Sequence, residues 1–288
     1  MSTTTSPSTT LLVRKLEIDL QRGFRRHWHG GDAFRSQFFN ALSMSFPVGE
    51  QFFIDAVRNA LPLLPASPEH DALRETVAGF IGQEATHRHI HGLYNTQLEK
   101  QGLVNRWQHW AEARIAYMRR RWPDMDLRHA LAATCALEHL TALLADGTLR
   151  RAGWLGGAEP DMQLLWRWHA AEETEHRAVA FDLFRAVGGS HRWRVRWYLY
   201  MWLIFLRDAM RQTVLNLWHD GTLFKPSTWW GALRLFFGRD GVAWYSLRPA
   251  LAYLRRDFHP AQETAQPTAM ALAQAWLAAH ADRLRVVR

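Results

Sequence analysis

The longest regular pattern of apolar and polar residues runs from Leu73 to Leu98. Positions three and four residues apart, which share one face of a helix, are apolar at both ends of this stretch and polar in its middle. The positions are Leu73, Val77, Phe80, Glu84, His87, His91, Tyr94 and Leu98. Ser67 and Pro68 favour a helix start, and Gly102 favours a helix end. The pattern predicts a helix whose buried face carries one carboxylate and two imidazoles.

A second helix of the same kind is predicted from Glu159 to Val187. The positions on its apolar face are Met162, Trp166, His169, Glu173, His176, Ala180, Leu183 and Val187. Both helices contain Glu-x-x-His, as Glu84 with His87 and as Glu173 with His176. This spacing places the carboxylate and the imidazole on the same helical face.

Each motif helix follows a helix with one glutamate on its apolar face. The first, Ala33–Leu61, carries Glu50, and Pro47 predicts a kink in this helix just before that glutamate. The second, which Asp126 caps and which runs to residue 148, carries Glu138. The glutamates precede the motif glutamates by 34 and 35 residues. We therefore predict two similar helix pairs, joined by a helix over residues 105–121.

The four helices together offer the ligands of a dinuclear metal centre. A glutamate on each of two helices and Glu-x-x-His on each of the other two form the set used by di-iron and di-manganese carboxylate bundles. The predicted ligands are Glu50, Glu84, His87, Glu138, Glu173 and His176. A buried carboxylate needs a compensating cation. The predicted fold class is all-α, a ferritin-like four-helix bundle with additional C-terminal helices.

Roles within this set follow from the need of two metals for bridging carboxylates. Glu84 and Glu173 are predicted to bridge, the two lone glutamates to bind at the ends, and each motif histidine to bind one metal. His91 and His169 lie one turn from the motifs, and each is a further nitrogen ligand or a residue that orients a ligand. Glu172 and Glu175 lie off the apolar faces and are expected to be solvated or to support the ligands. His89 and His139 are expected on the surface.

Composition limits the kind of metal and the compartment. Cys135 is the only cysteine among 288 residues, which excludes an intramolecular disulfide and a cysteine-based zinc site. Carboxylate and imidazole ligands suit iron, manganese or zinc. We expect a cytoplasmic protein, with residues 1–10, rich in Ser and Thr, as a disordered tail.

Positive charge is concentrated in residues 191–258, which hold a net +7 of the chain's formal +8. Trp, Tyr and Phe alternate with arginines in this segment, and Trp197–Leu206 is too short to span a bilayer. The alternatives are an arginine-rich packed surface, peripheral contact with the inner membrane, and nucleic acid as the least favoured partner. We predict a tail and arm (1–30), a metal-binding bundle (31–190) and a C-terminal helical extension packed on it (191–288).

The motif segments resemble those of bacterial proteins identified as predicted metal-dependent hydrolases. The segments are residues 46–50, 83–87, 137–139 and 168–176, and the resemblance covers most of residues 30–260. The ligand order also resembles that of ferritin-like di-iron oxygenases. His169, Glu173 and His176 are similar to the His-x-x-x-Glu-x-x-His arrangement of the p-aminobenzoate N-oxygenase group, where an extra histidine joins one iron. That resemblance implies that His169 is a ligand and that the two metals are iron.

The sequence is compatible with three hypotheses for the function. The favoured hypothesis is O₂-dependent oxidation or oxygenation of an apolar or amine small molecule, because glutamate-rich helical sites more often serve oxygen chemistry. The alternative is hydrolysis by a metal-activated water, with Glu172 handling protons. The third is metal binding without catalysis. The expected partners are a hydrophobic small-molecule substrate, an electron donor that the sequence does not identify, and a second copy in a homodimer.

Overall fold

The computed structural model describes residues 11–263 and 265–287, so the predicted tail (1–10) lies outside the described residues. Its helices are α1 (Ala33–Ala60), α2 (Pro68–Lys100), α3 (Arg106–Arg121), α4 (Arg128–Arg150), α5 (Ala152–Leu155), α6 (Pro160–His176), α7 (Val179–Ala186), α8 (His191–His219), α9 (Pro226–Phe237), α10 (Val242–Ala252) and α11 (Ala269–Ala279). Two short strands, β1 (Arg14–Leu16) and β2 (Leu284–Val286), pair in antiparallel fashion. The all-α class is confirmed.

The four helices that carry the predicted ligands form a bundle. α1 packs against α2 and α4 packs against α6, while α1 also contacts α4 and α2 contacts α6. Phe80 and Leu131, on α2 and α4, are fully buried in one core cluster. Burying such a side chain contributes about 1.5–3 kcal/mol to the free energy of unfolding. α8 packs across α1 and α4, while the proposed division at residues 30 and 190 stays a prediction.

Helix α1 continues through Pro47 without a break, and the predicted kink stays a prediction. Proline has no N–H and leaves the carbonyl of Ser43 without its helical partner. Asn95 on α2 supplies the missing donor, with Nδ2 3.0 Å from that carbonyl oxygen. Asn105 donates in the same way to the next carbonyl, that of Met44, at 2.9 Å. A side chain from outside α1 therefore replaces the helical hydrogen bond that Pro47 removes, two turns before Glu50.

The helix predicted from residue 159 to 187 is broken, which corrects the sequence pattern. α6 ends at His176, Arg177 and Ala178 form a turn, and α7 begins at Val179. The break does not alter the apolar pattern, because Leu183 and Phe184 on α7 remain buried. Periodicity alone cannot reveal a two-residue turn of this kind.

The chain ends come together at the two-stranded sheet. The predicted C-terminal extension is not helical throughout, since α11 ends at Ala279 and β2 follows. Arg14 on β1 is paired in register with Val286 on β2. None of the helices between residues 11 and 287 has the length and apolar character that a bilayer crossing requires.

Candidate metal centre

The fold brings all the predicted ligand side chains into the middle of the bundle. α1 supplies Glu50, α2 supplies Glu84 and His87, α4 supplies Glu138, and α6 supplies His169, Glu173 and His176. Each of these residues is at most 4% exposed. The regular spacing along each helix thus places seven possible ligands in one buried volume.

One group of possible ligand atoms consists of Glu84, Glu138 and His176, whose atoms lie within 4.8 Å of one another. His176 Nε2 is 3.1 Å from Glu84 Oε1 and 3.6 Å from Glu138 Oε2. It is also 3.5 Å from Glu173 Oε2. One imidazole nitrogen therefore faces oxygens from three helices, α2, α4 and α6.

A second set lies beside the first. Glu50, Glu84 and His87 form one group within 4.8 Å, and His87, His169 and Glu173 form another. Glu173 Oε1 is 2.9 Å from His169 Nε2 and 3.8 Å from His87 Nδ1, while its other oxygen faces the first group. Glu84 and Glu173 are thus shared between two sets of atoms, a geometry that suits the bridging roles predicted for them.

Several of these atoms are buried without any hydrogen-bond partner among the described residues. They are both carboxylate oxygens of Glu50, Glu84 and Glu138, together with His87 Nδ1 and His176 Nε2. Buried polar atoms in folded proteins are nearly always paired, and unpaired ones require an explanation. Two divalent cations would supply partners for these atoms and balance four carboxylates, so the donor set fits a dinuclear metal centre.

Electrostatics support the same interpretation. Burial, together with the neighbouring Glu84 carboxylate, raises the pKa of Glu50 well above its usual value. Burial also raises the pKa of Glu138 well above its usual value. Burial opposes ionisation of Glu173 too, but His176 and His169 hold its pKa well below the usual value. Without a cation the centre therefore favours neutral Glu50 and Glu138, and cation binding would require their deprotonation.

Arg14 on β1 supports the two motif histidines. It donates to Glu172 Oε1 at 3.2 Å and to Glu175 Oε2 at 2.7 Å. Glu172 Oε2 lies 3.0 Å from His87 Nε2. Glu175 Oε2 accepts from Gln83 Nε2 at 2.9 Å, and Gln83 Oε1 accepts from His176 Nδ1 at 3.0 Å. One arginine thus fixes the outer nitrogen of His87 and, through two residues, that of His176.

Burial raises the pKa of Glu172 to about 8, although Arg14 opposes the shift. Burial lowers the pKa of His87 well below its usual value, so a neutral imidazole faces Glu172 at 3.0 Å. A cation at His87 Nδ1 would leave the ring proton on Nε2, from which it is donated to Glu172. Glu172 orients His87 in this arrangement. Of the two alternatives predicted for Glu172 and Glu175, the structure agrees with support of the ligands and not with solvation, since their side chains are 0% and 12% exposed.

His169 is joined to α1 by a chain of hydrogen bonds. The Ser43 hydroxyl donates to Asn95 Oδ1 at 2.8 Å, so it accepts from His91 Nδ1 at 2.9 Å. His91 Nε2 then accepts from His169 Nδ1 at 2.7 Å. In a neutral His169 this order places the ring proton on Nδ1, so that Nε2 faces Glu173 Oε1 at 2.9 Å as a second acceptor. Two acceptors at that distance need a proton or cation between them, which favours His169 as a ligand and His91 as its support.

The remaining histidines gave mixed outcomes. His89 is exposed, as expected. His139 is 6% exposed and packs against the ring of Tyr253, so its predicted surface position is wrong. The sequence pattern did not indicate the supporting roles of Ser43, Gln83 and Arg14. Only Gln83, which directly precedes the first motif, lay close enough in sequence to have drawn attention.

An arginine substitution tests the support described above. We expect Arg14→Met to lower the free energy of unfolding of the metal-free protein by about 3 kcal/mol, because Glu172 and Glu175 lose their buried partner. Urea unfolding measures this change. Lys15→Met, at the exposed neighbouring position on β1, is the control and should have little effect. Adding Glu175→Gln to Arg14→Met should recover part of the loss, and equal effects of both methionine substitutions would contradict the assignment.

An apolar cavity of about 320 Å³ lies between α1, α3, α4 and α8. Its walls include Phe46, Phe53, Trp107, Leu137, Ile204 and Phe205. The inner end reaches Glu50, Thr141 and Glu173 of the centre. Trp122 and Tyr200 at the outer end are 43% and 45% exposed. The cavity has the volume of a small-molecule site and joins the protein surface to the buried carboxylates.

Fold and site together define an all-α protein with a buried carboxylate and histidine centre that fits metal ions. The family described as predicted metal-dependent hydrolase matches residues 12–264, and the chain belongs to this family. No curated protein and no solved structure matches the chain. The family resemblance predicted from the motif segments is therefore confirmed, whereas the likeness to ferritin-like di-iron oxygenases stays a prediction.

Proposed function

We propose that the protein is a dinuclear metal enzyme that hydrolyses an uncharged, apolar small molecule. The observation that carries the proposal is the apolar cavity that ends at Glu50 and Glu173. A substrate lying in this cavity would place one end beside the metal ligands. Membership of the predicted metal-dependent hydrolase family supports hydrolysis as the reaction class.

The cavity favours a carboxylic ester or amide over a phosphate ester. Its walls are mainly aromatic and aliphatic, and the side chains at its inner end are carboxylates and one hydroxyl. The two arginines that line it, Arg114 and Arg119, are already paired with Asp208 and Asp55. Transfer of a charged phosphate into such surroundings is unfavourable because the group loses its hydration. An acyl substrate is neutral and buries apolar surface on binding, which stabilises the complex.

The described residues have separate roles in this reaction. Bound metals would lower the pKa of a water molecule and polarise the carbonyl group of the substrate. Thr141 donates from its hydroxyl to Glu173 Oε2 at 2.5 Å and holds that carboxylate in place at the end of the cavity. Phe46 and Phe205 help to exclude bulk water from the carboxylates. Glu50, with both oxygens unpaired, faces the same volume.

Oxygen-dependent oxidation of an apolar or amine molecule is the second candidate. The observation in its favour is the ligand set itself, two glutamates and two Glu-x-x-His motifs on four helices, which is that of di-iron and di-manganese bundles. The apolar cavity suits such a substrate equally well. This reaction also needs iron, O₂ and an electron donor, whereas hydrolysis needs none of the three.

Metal substitution separates the two candidates. We expect the zinc-loaded protein to hydrolyse uncharged acyl esters without O₂, because zinc activates water but has no redox chemistry. The measurement is product release from esters of short and long acyl chain under nitrogen, with Glu50→Gln as the inactive control. Hydrolysis absent with zinc, combined with O₂ consumption by the iron-loaded protein, would replace our proposal with the second candidate.

A further inference from the structure

The outer faces of α8, α9 and α10 carry exposed apolar side chains. Leu199 and Leu203 on α8, Trp230 and Leu233 on α9, and Trp244 and Leu247 on α10 are 50–69% exposed. The rings of Phe237 and Trp244, 5.8 Å apart, join the faces of α9 and α10. Tyr198 stacks on Tyr253 at 4.2 Å and joins α8 to the end of α10. We call these faces the α8–α10 surface, and exposed apolar side chains in this number on neighbouring helices are typical of a binding surface.

Positive charge accompanies the apolar side chains. On α8 the exposed Arg192 and Arg196 precede the leucines, and the exposed Arg207 and Arg211 follow them. Positions 192, 196, 199, 203 and 207 lie on one face of the helix, since successive members are three or four residues apart. Residues 191–258 hold most of the chain's net positive charge. Tryptophan and leucine between arginines is the composition of segments that lie in the headgroup region of anionic membranes.

The mouth of the apolar cavity lies beside this surface. Tyr200, which lines the cavity, is next to Leu199 on α8 and is 45% exposed. Leu127 and Trp122 complete the exposed part of the mouth, at 42% and 43%. A protein partner bound to the α8–α10 surface would restrict access to the mouth of the cavity. A bilayer on the same surface would instead bring dissolved apolar molecules to the mouth, which favours a bilayer as the occupant.

We propose that the α8–α10 surface binds an anionic lipid bilayer and that the substrate enters the cavity from the bilayer. The substrate class is then a membrane-dissolved acyl ester or amide, a part of the inference that rests on the proposed function. The contact is peripheral, in keeping with helices too short or too polar to cross the bilayer within the described ranges. Arginines bind lipid phosphates while tryptophan and leucine enter the acyl boundary.

Co-sedimentation of the full chain with vesicles tests the membrane contact. We expect binding to vesicles of phosphatidylcholine with phosphatidylglycerol at low salt, weaker binding to phosphatidylcholine alone, and release at high salt. Arg192→Ala with Arg196→Ala should weaken binding about 30-fold, from about 1 kcal/mol for each arginine. Leu199→Glu with Leu203→Glu should weaken it at least about tenfold. Leu93→Glu, at an exposed leucine on α2, is the control and should bind normally.

Two results would overturn the membrane contact. One is wild-type protein that stays in the supernatant at low salt, and the other is equal binding by the wild type and both double variants. Analytical ultracentrifugation tests the alternative occupant of the α8–α10 surface, a second copy of this chain. A dimer that becomes monomeric in Leu199→Glu with Leu203→Glu, without vesicle binding by the wild type, would assign the surface to self-association.

Activity assays distinguish this inference from the proposed function. A water-soluble short ester should be cleaved equally by the wild type and the leucine double variant, and a vesicle-embedded ester only by the wild type. Equal cleavage of the embedded ester by both would overturn entry from the bilayer. Vesicle binding with no cleavage of either ester would preserve the membrane contact but remove the proposed hydrolysis.

Discussion

Replacing Glu84 by Gln will stabilise the metal-free protein and abolish most of the stabilisation that metal provides. Both oxygens of Glu84 are buried, Oε1 lies 3.1 Å from His176 Nε2, and burial raises the pKa of this carboxyl above its usual value although His176 opposes the shift. A group whose folded pKa is raised above its unfolded pKa destabilises the fold at higher pH, where the unfolded state is ionised. The amide removes that effect, so we expect a gain of about 1–2 kcal/mol in the free energy of unfolding of the metal-free protein at neutral pH.

Bound metal is expected to make the wild type more stable than Glu84→Gln, the reverse of their order without metal. In the wild type, metal at about 100 times its dissociation constant should add about 2.7 kcal/mol per site to the free energy of unfolding. Glu84 contributes to both groups of ligand atoms, so its amide variant should lose most of this increment. Thermal unfolding with and without metal, together with metal analysis, measures both effects. Glu99→Gln, at an exposed position on α2, should behave as the wild type. A glutamine at position 84 that lowers metal-free stability and leaves metal content unchanged would refute the ligand role.

Substituting Gly49 by Leu should close the active site without disturbing the metals. Gly49 lines the cavity next to Glu50, and a Cβ built there meets no atom within 4 Å. A leucine would therefore extend into the cavity, and replacing a helical glycine adds up to about 1 kcal/mol of stability. We expect kcat/KM for a long-chain ester to fall at least about 100-fold, since the substrate can no longer reach the carboxylates. Two metals per chain should remain.

A matched glycine provides the control for this experiment. Gly92 on α2 also has no atom within 4 Å of a built Cβ, and it does not line the cavity. Gly92→Leu should keep full activity. Binding of a neutral fluorescent dye supplies a second measurement, because Gly49→Leu should exclude the dye from the cavity whatever the natural substrate is. Unchanged dye binding and activity in Gly49→Leu would show that this cavity is not the route to the centre.

The sequence identified the inward-facing side chains because helical periodicity is a local property. Glu84 and His87 share a face through their spacing alone, and the same holds for Glu173 and His176. Periodicity also shows that Glu50 and Glu138 lie on apolar faces. That these four faces meet depends on tertiary packing. It could be predicted only because two helix pairs with this ligand set are known from di-metal carboxylate bundles.

The supporting residues could not be predicted in the same way. Arg14 reaches Glu172 across 158 positions of sequence, from a strand that forms only by pairing with residues 284–286. Ser43 forms a hydrogen bond with His91 on another helix, and its local pattern, unlike that of His91, did not indicate a role in the site. The continuity of α1 through Pro47 likewise depends on Asn95 from another helix. Such contacts follow from the arrangement of the helices and not from propensity.

Pairing of β1 with β2 also fixes the order in which the centre can be completed during synthesis. All seven candidate ligands have left the ribosome once residue 176 and a short following stretch are exposed. Arg14 has no partner strand until residues 284–286 are released. A nascent chain can therefore gather the ligands before it can lock the outer nitrogens of His87 and His176. Firm metal retention is thereby deferred until residues 284–286 have been synthesised.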